Sequence, residues 1–204
     1  MKKIIILAAV FLLTNALNAQ DDYKTAMLNN IKMLDTAVTT ASLSQIAATF
    51  SAIYEVKKDW HPLYYECYSY VKLSEAFASA DQKKTAIDKA AALLDSLPKN
   101  NDEVLVLRAL YAMDYLAIDR SAWQTYLPII NNSLAGAQAI NANNPRSYYL
   151  QGILKYNMPA SMGGGHEAGI ALFKTALQKF DTLAETDELA PTWGRKELGK
   201  YLGQ

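Results

Sequence analysis

A glycine-rich turn between two helical patterns, in residues 144–184, is the feature that most constrains the fold of this chain. Asn144 can cap a helix that begins at Pro145, because the asparagine oxygen accepts a free backbone N–H and proline has no N–H to lose. That helix is predicted to end before Pro159. Small and apolar residues then recur at spacings of four and three, which predicts a second helix; they are Gly169, Phe173, Ala176, Phe180 and Leu183. The two apolar stripes must bury each other as an antiparallel pair.

Helical spacing continues through the rest of the chain, and no stretch has the pattern of a strand. Helices are predicted at about residues 23–41, 43–57, 61–80, 82–97 and 102–118, from Trp123 onward, and at 192–202. Asp81 is a candidate cap, Pro98 ends the fourth helix, and Pro128 is predicted to kink the sixth helix or to mark its start. We therefore predict an all-α fold of stacked antiparallel helix pairs, a superhelix of about four pairs plus a C-terminal capping helix.

Residues 1–19 have the composition of a secretory signal peptide. Two lysines precede an apolar run over residues 4–13, and small residues follow. A retained membrane anchor is the competing interpretation, but the run is shorter than the roughly 20 residues that a bilayer requires. We predict cleavage after Ala19, a single domain over residues 20–204 with no membrane span, and export to the periplasm, with secretion as the alternative.

Charge and cysteine content restrict the possible partners. The chain has 20 basic and 20 acidic residues, and loss of Lys2 and Lys3 with the leader leaves 18 basic against 20 acidic, a formal charge of −2. No segment concentrates lysine and arginine, so no nucleic-acid partner is predicted. Cys67 is the single cysteine, so no internal disulfide can form. We predict that Cys67 packs as a small buried residue, with a reactive thiol as the alternative.

The sequence offers no motif for catalysis. His61 and His166 are the two histidines, and neither stands in a spacing that suits a metal site. No serine has the glycine-flanked setting of a hydrolase nucleophile. We predict no catalytic residue, no metal and no cofactor, and hence a protein that is not an enzyme.

Residues 67–100 resemble a tetratricopeptide repeat. The residues that carry the resemblance are Tyr70, Leu73, Ser74, Phe77, Ala86, Ala90, Leu93 and Pro98. The pattern also has a packing reason that does not depend on the family resemblance. Small residues let two helices approach closely, and Tyr70 and Phe77 are expected to fill the groove between them. A period near 34 residues is also typical of such arrays.

Most of the last 60 residues, with the leader that ends in Ala19-Gln20, resemble the exported tetratricopeptide-like proteins common in Bacteroidetes. The resemblance rests on the Asn144-Pro145-Arg146 helix start, Leu150, Gly152, Pro159 and the triple glycine. It implies an exported helical binding module without an assigned activity. The proline and glycine-rich turn is also similar to that of the helical accessory component of tripartite substrate-binding transporters, which implies a role in uptake.

Two sets of residues are candidate binding sites. The chain has 13 tyrosines, and Tyr65, Tyr68 and Tyr149 are candidate contacts for a protein or peptide partner on the concave face of the superhelix. The alternative is that these tyrosines pack in the core with wet hydroxyls. Gly163, Gly164 and Gly165 with His166 form a candidate anion-binding turn at a helix start. The alternative here is a turn that needs glycine, Gly164 included, for positive φ.

These patterns predict a non-catalytic module that mediates protein–protein or peptide interaction in the cell envelope. The alternative is a small-ligand-binding or anion-binding accessory subunit of an envelope uptake system.

Overall fold

The structure, a computed structural model, describes residues 20–184 and 187–203 and is all-α over that part of the chain, without a strand. The predicted signal peptide lies outside the described residues. The helices are α1 (20–36), α2 (Thr40–Val56), α3 (Trp60–Ala76), α4 (Ala80–Leu94), α5 (Asp102–Ile118), α6 (Trp123–Ile140), α7 (Pro145–Asn157), α8 (His166–Asp181) and α9 (Arg195–Leu202). In these two ranges, no helix is long and apolar enough to cross a membrane.

Consecutive helices pack as four antiparallel pairs, as the sequence predicts. The pairs α3/α4, α5/α6 and α7/α8 have extensive contacts, and α9 covers the last pair. In the first pair, the Asn30 side chain of α1 donates a buried hydrogen bond to the Ile46 carbonyl of α2, at 3.1 Å. The first helices of successive pairs also touch, α3 with α5 and α5 with α7. They form an inner layer, and the second helices form an outer one.

Local sequence signals fix the start of α7. Asn144 accepts hydrogen bonds from the backbone N–H groups of Arg146 and Ser147, at 2.9 and 3.4 Å, and Pro145 occupies the first helical position. The helix ends at Asn157, before Pro159. These features confirm the predicted helix start and end.

Several predicted boundaries are wrong by a few residues. Helix α3 ends at Ala76 because residues 77–79 form the turn, and Ser79 rather than Asp81 precedes α4. Helix α4 ends at Leu94, before Pro98. Pro128 lies inside α6, which already begins at Trp123, so the proline does not mark its start.

Cys67 is fully buried, and its thiol donates to the Ala90 carbonyl at 3.4 Å.

Candidate functional site

The chain's own C-terminal segment, residues 187–194, lies across the inner layer of helices. The Tyr65 hydroxyl, on α3, lies 3.0 Å from the Leu189 carbonyl and 2.9 Å from the Ala190 carbonyl. The Trp193 indole N–H donates to the Tyr64 hydroxyl at 3.0 Å, and the Trp193 ring stacks on Tyr68 with centroids 5.3 Å apart. The segment therefore covers the tyrosine-rich face of α3.

The three tyrosines that the sequence offered as partner contacts are all buried, Tyr65 and Tyr68 under this segment. Tyr65, Tyr68 and Tyr149 are 2%, 7% and 6% exposed. Tyr149 packs between Phe173 of α8 and Tyr201 of α9. A partner contact at these tyrosines stays a prediction; at Tyr65 and Tyr68 it would require residues 187–194 to move away. Sequence reasoning missed the covering segment because residues 187–191 lack helical spacing and Trp193 was placed in the predicted capping helix, which in the structure begins only at Arg195.

A buried ion pair anchors the segment to the inner layer. The Arg146 guanidinium, on α7, donates to Glu103 Oε1 of α5 at 3.0 Å and, through Nε, to the Trp193 carbonyl at 2.9 Å. Burial raises the pKa of Glu103 to about 7, although Arg146 acts in the opposite direction. Glu103 Oε2 is buried and has no hydrogen-bond partner among the described residues. The sequence offered Arg146 as part of a helix start and as a possible neighbour of the anion-binding turn, whereas the structure shows it joining α5, α7 and the C-terminal segment.

His61 makes a hydrogen bond to the beginning of residues 187–194. Its two ring nitrogens lie 3.2 Å from Asp59 Oδ1 and 2.8 Å from Asp187 Oδ2. The Tyr23 hydroxyl donates to the other oxygen of Asp59, and together they hold the start of α3 against α1. Nothing in this arrangement suits a metal: in the described ranges, no group of three histidine, cysteine or acidic side chains is placed to hold one.

The glycine turn uses its backbone N–H groups internally. Gly163, Gly164 and Gly165 donate to the carbonyls of Ala160, Pro159 and Lys155, at 3.0, 3.1 and 2.9 Å. His166 is exposed and stacks on Tyr156, with centroids 3.9 Å apart. The predicted anion site would use the first N–H groups of α8 rather than those of the three glycines, so it stays a prediction.

Positive φ is found at Gly163 (76°) and Gly165 (109°) but not at Gly164, so the expected reason for Gly164 is wrong. A Cβ on Gly164 would lie 2.4 Å from the Met158 carbonyl oxygen and 2.7 Å from that of Lys155. Gly164 is therefore required by close approach of the backbone, not by its own torsion angle.

We expect Gly164→Ala to reduce the free energy of unfolding by about 1–3 kcal/mol, as overpacking against fixed backbone atoms does. Urea unfolding would measure it. Gly136→Ala on α6 is the matched control, because its new methyl would meet only the movable end of Leu105, at 3.2 Å, and alanine favours the helix. Equal losses in the two variants would contradict the assignment.

An apolar groove opens beside the same turn, between α5, α6 and α7. We call it the methionine groove, with a volume of about 300 Å³ and the lining residues Met113, Leu116, Ile130, Ile153, Leu154, Asn157, Met158, Pro159 and Met162. Met162 is 62% exposed, which is high for so apolar a side chain. The Lys155 ammonium on α7 does not line the groove and donates to the Gly163 carbonyl of the turn, at 3.0 Å. The groove thus combines an apolar surface with three thioethers.

A second cavity lies at the other end of the fold, between α2, α3 and α4. We call it the Tyr70 cavity, with a volume of about 350 Å³ and the lining residues Ser44, Tyr70, Leu73, Phe77, Gln82, Thr85, Ala86 and Lys89. It shares no residue with the methionine groove. Tyr70 and Phe77, which the sequence analysis expected to fill the space between the helices, leave an open cavity there.

Comparison with known proteins finds a likeness among solved structures. No protein-family model and no curated protein matches the sequence. The fold is similar to that of the HusA haemophore from Porphyromonas gingivalis, with a TM-score of 0.76 and 26% sequence identity. The match covers 88% of this chain and 90% of the haemophore chain. It agrees with the predicted kinship to helical proteins of Bacteroidetes, whereas the tetratricopeptide-like assignment stays a prediction.

Proposed function

We propose that this protein is an exported, non-catalytic binding protein for haem or a related porphyrin, and that the methionine groove holds the ligand. Two observations support the proposal. The fold matches a haemophore over almost the whole length of both chains, and the groove is an apolar surface left open on the folded domain. Of the two predicted functions, the small-ligand alternative is thereby favoured over peptide binding.

The chemistry of the groove suits a porphyrin. The macrocycle is flat and apolar, and burial of such a surface against aliphatic side chains is favourable by roughly 25 cal/mol per Å². Methionine thioethers are established ligands of haem iron, and Met113, Met158 and Met162 bring three of them to the groove.

The position of the groove also suits reversible binding. It is formed by side chains from two helix pairs and by the turn before α8, and Met162 stays largely exposed. A groove of about 300 Å³ is at the small end for a ligand pocket, where volumes of roughly 300–1,000 Å³ are usual. A porphyrin there would keep part of its surface in solvent, from which a second protein could take it.

Titration of the mature protein with ferric haem, followed by absorption in the Soret region, tests the proposal. We expect saturable binding with one site per chain. The double substitution Met158→Ala and Met162→Ala should weaken binding about tenfold or more, because each truncation removes apolar contact worth about 1 kcal/mol or more. Met33→Ala on α1 is the matched control, since Met33 is 54% exposed and remote from the groove.

Two further variants separate the possible causes. Met162→Leu keeps the apolar contact and removes the sulfur, so a loss of affinity for haem but not for metal-free protoporphyrin would identify iron ligation. Tyr70→Phe removes a phenol from the Tyr70 cavity and should leave haem binding unchanged. The proposal is wrong if haem does not bind, or if the methionine variants bind it as tightly as Met33→Ala does.

A further inference from the structure

The Tyr70 cavity has the build of a small-molecule site with an apolar interior. Leu73 and Ala86, at 5% and 2% exposure, form its floor, and the half-buried rings of Tyr70 and Phe77 form its sides. Tyr70 and Leu73 share one face of α3, because they are separated by three positions, and Phe77 follows in the turn after the helix. The short side chain of Ala86 leaves the space between the two rings unfilled. The resulting volume, about 350 Å³, suits a ligand smaller than a porphyrin.

The rim of the cavity carries a cation. The Lys89 ammonium lies over the Tyr70 ring, 5.2 Å from its centroid, and makes no ion pair with any residue in the described ranges. Lys84, five residues earlier on α4, instead pairs with Asp88 at 2.5 Å. Burial raises the pKa of Glu66 and the Lys89 charge acts in the opposite direction, but Glu66 is buried and does not line the cavity. Lys89 is therefore placed to receive an anionic group that enters from solvent.

Other groups at the rim can add hydrogen bonds to the same anion. The exposed side chains of Ser44 on α2 and Gln82 on α4 both line the cavity. A hydroxyl and an amide N–H can each donate to a carboxylate oxygen. The Thr85 hydroxyl, in contrast, already donates to the Asp81 carbonyl at 2.8 Å. The rim thus offers one charge and two neutral donors above an apolar floor.

We propose that the Tyr70 cavity binds a small apolar carboxylate, with its hydrocarbon part between Tyr70 and Phe77 and its carboxylate at the Lys89 ammonium. The cavity's own charge pattern selects this ligand class: an uncharged hydrocarbon would leave Lys89 unused, and a polar anion such as phosphate would leave the apolar floor uncovered. This site is separate from the methionine groove and does not depend on the binding of haem.

Isothermal titration of the mature protein with octanoate tests the proposal, with octanamide as the neutral probe of the same length. We expect octanoate to bind and octanamide to bind about tenfold more weakly, the size expected for loss of one charge-assisted contact. Lys89→Met should reduce octanoate affinity to that of octanamide. Lys84→Met on the same helix is the matched control and should leave octanoate binding unchanged.

A variant at the rim tests the location. Ser44→Trp replaces an exposed residue at the edge of the cavity, so the fold should persist while both probes lose their site. The proposal is overturned if octanoate does not bind, if Lys84→Met weakens it as much as Lys89→Met, or if Ser44→Trp has no effect. Met158→Ala with Met162→Ala should leave octanoate binding intact. Loss of haem binding alone would therefore contradict only the proposed function, and loss of octanoate binding alone only this inference.

Discussion

Replacement of Arg146 by methionine should lower the free energy of unfolding by about 3–5 kcal/mol, one of the two largest effects we expect in this protein. The guanidinium is buried, and removal of one partner from a buried ion pair leaves the other charge without compensation. Here that partner is the Glu103 carboxylate, whose second oxygen already lacks a hydrogen-bond partner in the described part of the chain. The Trp193 carbonyl would lose its donor as well.

The cost should depend on pH. The pKa of Glu103 is about 7 in the folded protein, above the ordinary 4.5, so between these values the folded state holds a proton that the unfolded state has lost. This group therefore favours folding at low pH, and its contribution falls as the pH rises through 7. Without Arg146, the ionised Glu103 carboxylate would be buried with no positively charged partner, so its ionised form would destabilise the fold further. We expect the loss in Arg146→Met to be larger at pH 8 than at pH 5, where Glu103 can take up a proton.

Urea unfolding of wild type and variant at both pH values would measure this difference. Addition of Glu103→Gln to Arg146→Met should recover part of the stability at pH 8, because a neutral amide replaces the unpaired charge. Arg195→Met is the matched control, since Arg195 pairs with Asp181 on the surface and exposed pairs contribute about 1 kcal/mol or less. The assignment is wrong if both arginine variants lose equally little, or if the loss does not change with pH.

The sequence predicted the helix pairs because local chemistry decides them. Asn144 and Pro145 begin α7 through a side-chain acceptor and a fixed φ, and Phe173 and Ala176 are buried as the spacing of four and three requires. Gly164 shows where such reasoning stops. The residue was recognised as necessary, but the reason is the approach of carbonyls from Lys155 and Met158, which only the folded turn brings together.

The candidate sites were harder to predict, because each one joins residues that are distant in sequence. The methionine groove brings Met113 of α5 to Met158 and Met162 after α7, and no spacing in the sequence indicates that approach. Tyr65 and Tyr68 do lie on the inner face where they were expected, yet residues 187–194 return to cover them. A segment without periodic apolar residues carries no local signal of where it will pack.

Residues 187–194 also link helix pairs that are distant along the chain. In an open array, each pair contacts its neighbours alone, and unfolding can begin at either end. Here Thr192 donates to Asp35 at the end of α1, while Arg146 of α7 donates to Trp193. The first and last pairs are therefore connected through residues 187–194. This connection should make unfolding a single transition rather than a stepwise loss of pairs.

Trp193→Ala should therefore cost about 3–5 kcal/mol, the usual range for truncation of a buried tryptophan. Trp193 is 7% exposed, and its loss would remove the stack on Tyr68 and leave the fully buried Tyr64 hydroxyl without its donor. Trp123→Ala is the matched control, because Trp123 is 55% exposed and should cost about 0.5 kcal/mol or less. Trp193→Phe, which keeps an aromatic ring and removes the N–H, should fall between the two.

Urea unfolding monitored by circular dichroism would give the order of stability of these variants, and limited proteolysis should cleave near residues 187–194 first in Trp193→Ala. If Trp193→Ala is no less stable than Trp123→Ala, the segment does not hold the pairs together.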